Sequence, residues 1–166
     1  MKRPAKRTSI ATIALLGLIG SAYALDNPPV KEGYWSVHSV TVDQPGNKTF
    51  DGKYFMCRNH AFDAYLETKK NVPGCVTKSQ SVQGNKHYTE LSCAMGGTTI
   101  NSKSTVIYNG DTSLHSETDA TYTPLFMGHS AEKMTMDFAY VGSCPAGIQP
   151  GGRVSQDGTV MHLWRH

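Results

Sequence analysis

The chain has 166 residues, 39% hydrophobic and 17% charged, with a formal net charge of +3. Four of the sixteen cations (Lys2, Arg3, Lys6 and Arg7) but none of the thirteen acids precede residue 25, which leaves twelve against thirteen, or −1, for the rest. A near-neutral domain has no field with which to gather nucleic acid or anionic lipid, so the basic pI of the whole chain says nothing about partners. The four leading cations are followed by an apolar run from Ile10 to Gly20 and by Ser21-Ala22-Tyr23-Ala24, with small residues where a signal peptidase reads. This order predicts a signal peptide over residues 1–24, cleaved after Ala24. The run is shorter than the roughly 20 apolar residues a membrane span needs, so no span remains after cleavage. The product is expected in the bacterial periplasm or secreted. Residues 25–144 then suit a single β-rich domain, and residues 145–166 form a Pro/Gly-rich C-terminal tail.

Within the domain the main signal is alternation punctuated by turn residues. Tyr34 to Val42 opens it, with Trp35 and Val37 on one face and Val40 and Val42 on the other, a phase slip that implies a bulge or bend near Ser39. A second strand runs from about Lys48 to Cys57. Asn59 then caps a short helix whose Ala61, Phe62, Tyr65 and Leu66 share a face, with Lys69 and Lys70 at its negative end and Asn71 and Pro73 as its stop. Cys75 to Gln83 and Lys86 to Met95 form a hairpin across Gly84-Asn85. Thr98 to Tyr108 and Ser113 to Tyr122 form another across Asn109-Gly110-Asp111. A last strand alternates Met134, Met136, Phe138 and Tyr140 with polar or small neighbours. The expected fold is mainly β: an antiparallel, strongly curved sheet or small barrel of about seven strands with one short helix.

Cys57, Cys75, Cys93 and Cys144 all follow the leader, and an even number in an exported chain reads as two disulfides. Three pairings are open, and the one favoured joins Cys57 to Cys75 and Cys93 to Cys144. No C-x-x-C spacing suggests a zinc site or a catalytic thiol pair.

Several strands carry small residues where an apolar stripe is due, notably Ser102 and Ser104, and Ser116 and Thr118. With Trp35, Met134, Met136, Phe138 and Tyr140 they are the candidate ligand face, because small side chains on the inside of a curved sheet leave room. Met134 and Met136 with His129 make a soft donor set of the kind that suits Cu(I), and His162 with His166 have the spacing of two ligands on one helix face. Methionine in alternation is more often adaptable core filler, and the chain's end frays, so no metal and no cofactor is assigned. The sequence holds no G-x-S-x-G elbow, no H-E-x-x-H and no phosphate-cradling loop, and no catalytic residue is assigned. Glu117 and Asp119 share a face with His115 that reads as the solvated side of the sheet.

With these landmarks in place the chain resembles the secreted bacterial family catalogued as domain of unknown function thirty-six seventeen. The resemblance runs from about Lys31 to Cys144. It rests on Lys31-Glu32-Gly33-Tyr34-Trp35, Cys57 entering the helix, Cys75 opening a strand, the Gly-Asn hairpin leading to Ser92-Cys93, Tyr108-Asn109-Gly110-Asp111, Met134-Thr135-Met136, and Tyr140-Val141-Gly142-Ser143-Cys144. It implies an exported small β-rich domain and brings no established activity. The function expected is non-enzymatic binding of a small amphipathic molecule on the ligand face. The alternatives are an envelope protein-protein interaction module, through a sheet edge or the tail, and copper binding.

Overall fold

A computed structural model describes residues 28–44, 46–68 and 73–163; the expected signal peptide, the helix-ending Lys69, Lys70 and Asn71, and His166 lie outside the described residues. The chain runs β1 (Gly33–Asp43), β2 (Lys48–Arg58), α1 (His60–Thr68), β3 (Cys75–Gln83), β4 (Lys86–Met95), β5 (Thr98–Asn109), β6 (Ser113–Phe126), β7 (His129–Gly142), β8 (Gly152–Ser155) and β9 (Val160–His162). All nine strands join one sheet in the order β3-β4-β5-β6-β7-β1-β2-β8-β9, every pairing antiparallel.

The fold is thus mainly β with a short helix, as alternation requires, but it is neither a barrel nor strongly curled. Closure would need the outer strands β3 and β9 to pair, and they stand at opposite edges. The two strands beyond the expected seven come from the Pro/Gly-rich segment after Cys144. β8 pairs with β2 through Tyr54, Phe55 and Met56, and β9 pairs with β8. Three- and four-residue strands are too short to show an alternation.

Two further expectations are corrected. No bulge interrupts β1 near Ser39: its pairing with β7 runs in register from Trp35 to Asp43, and with β2 it shifts only between Thr41 and Val42. Ser39 and Thr41 continue the face of Trp35 and Val37, Ser39 being buried, while Val40 and Val42 lie half-buried on the other face. The disulfides are Cys57–Cys144 and Cys75–Cys93, not the favoured pairing. Cys75 and Cys93 are register partners across the β3–β4 hairpin, with Cα atoms 3.9 Å apart. Cys57 ends β2 and Cys144 follows β7; both strands flank β1, which brings their Cα atoms to 5.6 Å.

The core sits at one end of one face. Trp35, Val37 and Phe62 are fully buried there and Val30, Met56 and Leu114 nearly so, while Cys57, the register partner of Tyr34, is fully buried on the opposite face. Phe62 comes from α1, whose start is set by Asn59: its Oδ1 accepts from the Phe62 backbone N–H at 2.8 Å, satisfying one of the first-turn donors. Asp63 in the first turn binds the Arg58 guanidinium at 2.9 Å. The Trp35 indole N–H donates to the Lys31 carbonyl at 2.9 Å, so the largest buried ring leaves no polar atom unpaired.

Candidate functional site

The cross-strand register sorts the strand side chains onto two faces. Every residue of the candidate ligand face falls on the same one. Reading from β5 through β6 and β7 to β1, one row is Tyr108, Leu114, Phe138 and Val37, and the next is Val106, Ser116, Met136 and Ser39. Then come Ser104, Thr118, Met134 and Thr41, and last Ser102, Ala120, Glu132 and Asp43.

These rows differ in what covers them. The first belongs to the core under α1, together with Trp35 and Tyr140, whose rings meet edge to face at 6.0 Å. The structure therefore places Trp35, Phe138 and Tyr140 in the core or packed against it, with Met136 at its border. Ser102, Ser104, Ser116, Thr118 and Met134 lie together beyond the helix's hydrophobic cluster, half-buried on a floor of small side chains. On that floor Ser104 Oγ and Thr118 Oγ1 are 2.9 Å apart and satisfy one another. An apolar body laid over paired hydroxyls strands fewer polar groups than one laid over free ones.

Aromatic side chains border the floor at the end of the sheet away from α1. The Phe50 ring folds over Gly52, where a Cβ would come within 2.6 Å of it, and Phe50 keeps 46% of its surface exposed. Across the sheet Tyr122 packs on Phe126 with ring centroids 5.6 Å apart. Burial pushes the Tyr122 hydroxyl up to about 12, with its hydrogen bond to Glu132 acting in the same direction. The phenol is a neutral donor over the whole physiological range.

The other face is charged. Asp51 accepts from Lys48 Nζ at 2.8 Å and has His38 Nε2 at 2.9 Å; these bonds hold its carboxyl down at about 2. Asp137 and Glu117 flank His115, at 2.7 Å from Nδ1 and 3.3 Å from Nε2, and Lys133 Nζ donates to Glu117 at 3.1 Å. A shallow cleft of about 340 Å³ opens here beside His38, Lys53, His115 and Asp137. Both nitrogens of His115 face carboxylates, and the bond to Asp137 first of all raises its pKa above the ordinary histidine value. Glu117 and His115 thus share the solvated face, as the alternation indicates.

The remaining candidates are scattered. His129 opens β7 with Nδ1 at 3.0 Å from the buried Asp43, at odd parity to Met134 and Met136 on the same strand. His162 lies on strand β9, not on a helix. Among the described residues no group of three or more His, Cys, Asp or Glu is arranged to hold a metal ion.

Three features escape the sequence reading. A cleft of about 360 Å³ lies between α1, the segment before β1 and the end of β5, lined by Val30, Arg58, His60, Asp63, Leu66 and Tyr108. It depends on a helix crossing the sheet, which no local pattern reveals. Arg153 of β8 lays its guanidinium 3.6 Å from the Tyr54 ring centre. The third is the β6–β7 turn, where Leu125, Phe126 and Met127 are 61%, 37% and 83% exposed. Its signal is present in the sequence: an apolar run directly before Gly128.

Among the described residues no helix is long and apolar enough to cross a membrane. No curated protein matches the chain. A family model matches residues 30–144, which hold β1 to β7, α1 and all four cysteines, while β8 and β9 fall beyond it. This chain belongs to the family described as Protein of unknown function (DUF3617).

Proposed function

We propose that this is an exported, non-enzymatic domain that binds a small amphipathic molecule on the helix-free half of its apolar face. One observation carries the reading: large side chains fill the rows beneath α1, whereas in the rows beyond that cluster β5 and β6 contribute only the small Ser102, Ser104, Thr118 and Ala120. The aromatic border of Phe50, Tyr122 and Phe126 and the self-satisfied hydroxyls of Ser104 and Thr118 suit the apolar body of an amphipathic ligand, and Glu132 in the last row suits its polar end. Two disulfides support an oxidising compartment, and the N-terminal pattern of charge followed by apolar residues supports export with cleavage after Ala24.

Native mass spectrometry of the protein purified from its own envelope tests this. The expected spectrum shows an added small-molecule mass that Thr118→Phe, which fills the floor, removes. A bare protein, or an adduct indifferent to Thr118→Phe, sinks the reading. A second reading, an envelope interaction module, is favoured by β3: it stands at a sheet edge with every residue after Cys75 exposed. Crosslinking that recovers a partner through β3 from a ligand-free protein would select it.

A further inference from the structure

We propose that the molecule bound on the floor is an anionic amphiphile, whose carboxylate or phosphate head sits on Arg153 and whose apolar chain runs past Phe50 toward Ser39. This placement rests on the floor being the ligand surface. Arg153 belongs to β8, beyond the stretch that the family model matches. Its register partner is Met56, which pairs in turn with Trp35, so the Arg153 side chain stands on the apolar face. Ser155 stands opposite Tyr54 on that same face.

The protein itself does not answer this charge. Arg153 Nε is buried without a hydrogen-bond partner, the one such side-chain atom among the described residues. No carboxylate among the described residues comes within ion-pair distance of the guanidinium. Asp157, the nearest acid along the chain, accepts from the Thr159 backbone N–H at 3.0 Å and closes its own turn. Arg58, the other arginine among the described residues, is already paired with Asp63 at 2.9 Å. Unlike Nε, the two Nη nitrogens of Arg153 are open to solvent.

The geometry is prepared for an anion. The Arg153 Cζ lies 3.6 Å from the Tyr54 ring centre, a stacking distance that holds the guanidinium on a rigid support. Burial raises the Tyr54 phenol above its ordinary 10.0, with the Arg153 charge acting the other way, so the ring stays a neutral platform at physiological pH. A stacked guanidinium keeps its donors in its own plane, and the two open Nη groups present the pair that an oxyanion accepts. A water molecule takes a hydrogen bond but leaves the half-buried charge unanswered, whereas an oxyanion does both. The surroundings favour an amphiphile over a bare ion. Met161, the register partner of Arg153 on β9, keeps 44% of its surface exposed, and along β2 the same face continues from Tyr54 over Gly52 to the exposed Phe50. At about 3.3 Å per residue this track is roughly 13 Å long. Glu132 and Asp43 stand in the last row and repel an anion, which sets the head at the Arg153 end.

Isothermal titration calorimetry with decanoate, decyl phosphate and decanol tests it. At least one of the two anions is expected to bind about tenfold or more tightly than decanol. Arg153→Gln removes that advantage and Arg153→Lys keeps part of it, while circular dichroism and the melting curve stay native. Thr118→Phe is expected to weaken all three probes, because it fills the floor that takes their shared chain. Equal affinity of the three probes for the native protein overturns the proposal and leaves the floor standing, as does a preference for anions that survives Arg153→Gln. Binding of neither anion nor alcohol sinks floor and anchor together. An anion that binds undiminished to the Thr118→Phe variant refutes the track from Arg153 to the floor. Whichever anion binds the tighter identifies the head as carboxylate or phosphate.

Discussion

The charged face concentrates its electrostatics on few residues, and these decide how the molecule responds to pH. The hydrogen bond to Asp137, with that to Glu117, raises the His115 pKa above its ordinary 6.5 against a smaller opposing effect of burial. Glu117 is lowered from 4.5, first by its bond to Lys133 and then by His115. The signs follow from linkage. A raised histidine contributes stability that is fully present below 6.5 and is lost as pH rises through its folded value. A lowered glutamate contributes stability that is present above 4.5 and is lost as pH falls through its folded value. Both contributions are in place between about pH 4.5 and 6.5, and since these groups are solvent-exposed the effect is small. The ring protons of His115 in an NMR titration are therefore expected to report a midpoint above 6.5, which falls in Asp137→Asn. A midpoint at or below 6.5 in the native protein would refute the assigned contacts.

Among the elements, α1 matters most for the site, because it divides the apolar face into a filled half and an open one. Its hold depends on two residues of different kinds. Asn59→Ala removes the cap and is expected to cost about 1 kcal/mol. Phe62→Ala empties a fully buried position against Trp35, Val37 and Leu114 and is expected to cost about 3–5 kcal/mol. Urea denaturation of the two variants checks the order; a cap that matters more than the ring would mean that tertiary packing does not hold the helix. Both residues were legible in the sequence, since the capping side chain and the apolar stripe lie within one turn of one another. So were the seven long strands and their hairpins, where Gly84-Asn85 and Asn109-Gly110-Asp111 mark the turns locally. The Val40 and Val42 phase slip misled because a half-buried outer face tolerates valine as well as the core does. The small residues Ser102 and Ser104 were legible too, but their meaning was not: in an open sheet they mark where no layer packs, not where the sheet bends.

At the scale of the whole molecule, what escaped the sequence was everything set by non-local pairing. β7 returns across five intervening strands of the chain to lie beside β1, so the edges of the sheet, the placement of β8 and β9 and the cysteine partners all follow from a contact no local pattern encodes. The two disulfides consequently do different work. Cys75–Cys93 joins residues 18 apart within one hairpin, whereas Cys57–Cys144 joins residues 87 apart and ties the end of β2 to the chain leaving β7, on either side of β1. In the chain-entropy account the longer closure stabilises by about 4–5 kcal/mol and the shorter by about 3 kcal/mol. Cys57 is moreover fully buried, so its loss also disturbs packing at the end of β2. The variant Cys57→Ala, Cys144→Ala is therefore expected to show the lower denaturation midpoint of the two paired-cysteine variants, and to expose β8 and β9 to exchange first, because the Gly151 backbone N–H that leads into β8 donates to the Cys57 carbonyl at 2.9 Å. The variant Cys75→Ala, Cys93→Ala is expected to loosen only the β3 edge. Hydrogen exchange read strand by strand distinguishes these outcomes: protection lost first along β3 and β4 in the Cys57 and Cys144 variant would mean that the sheet is not organised around the β7–β1–β2 seam.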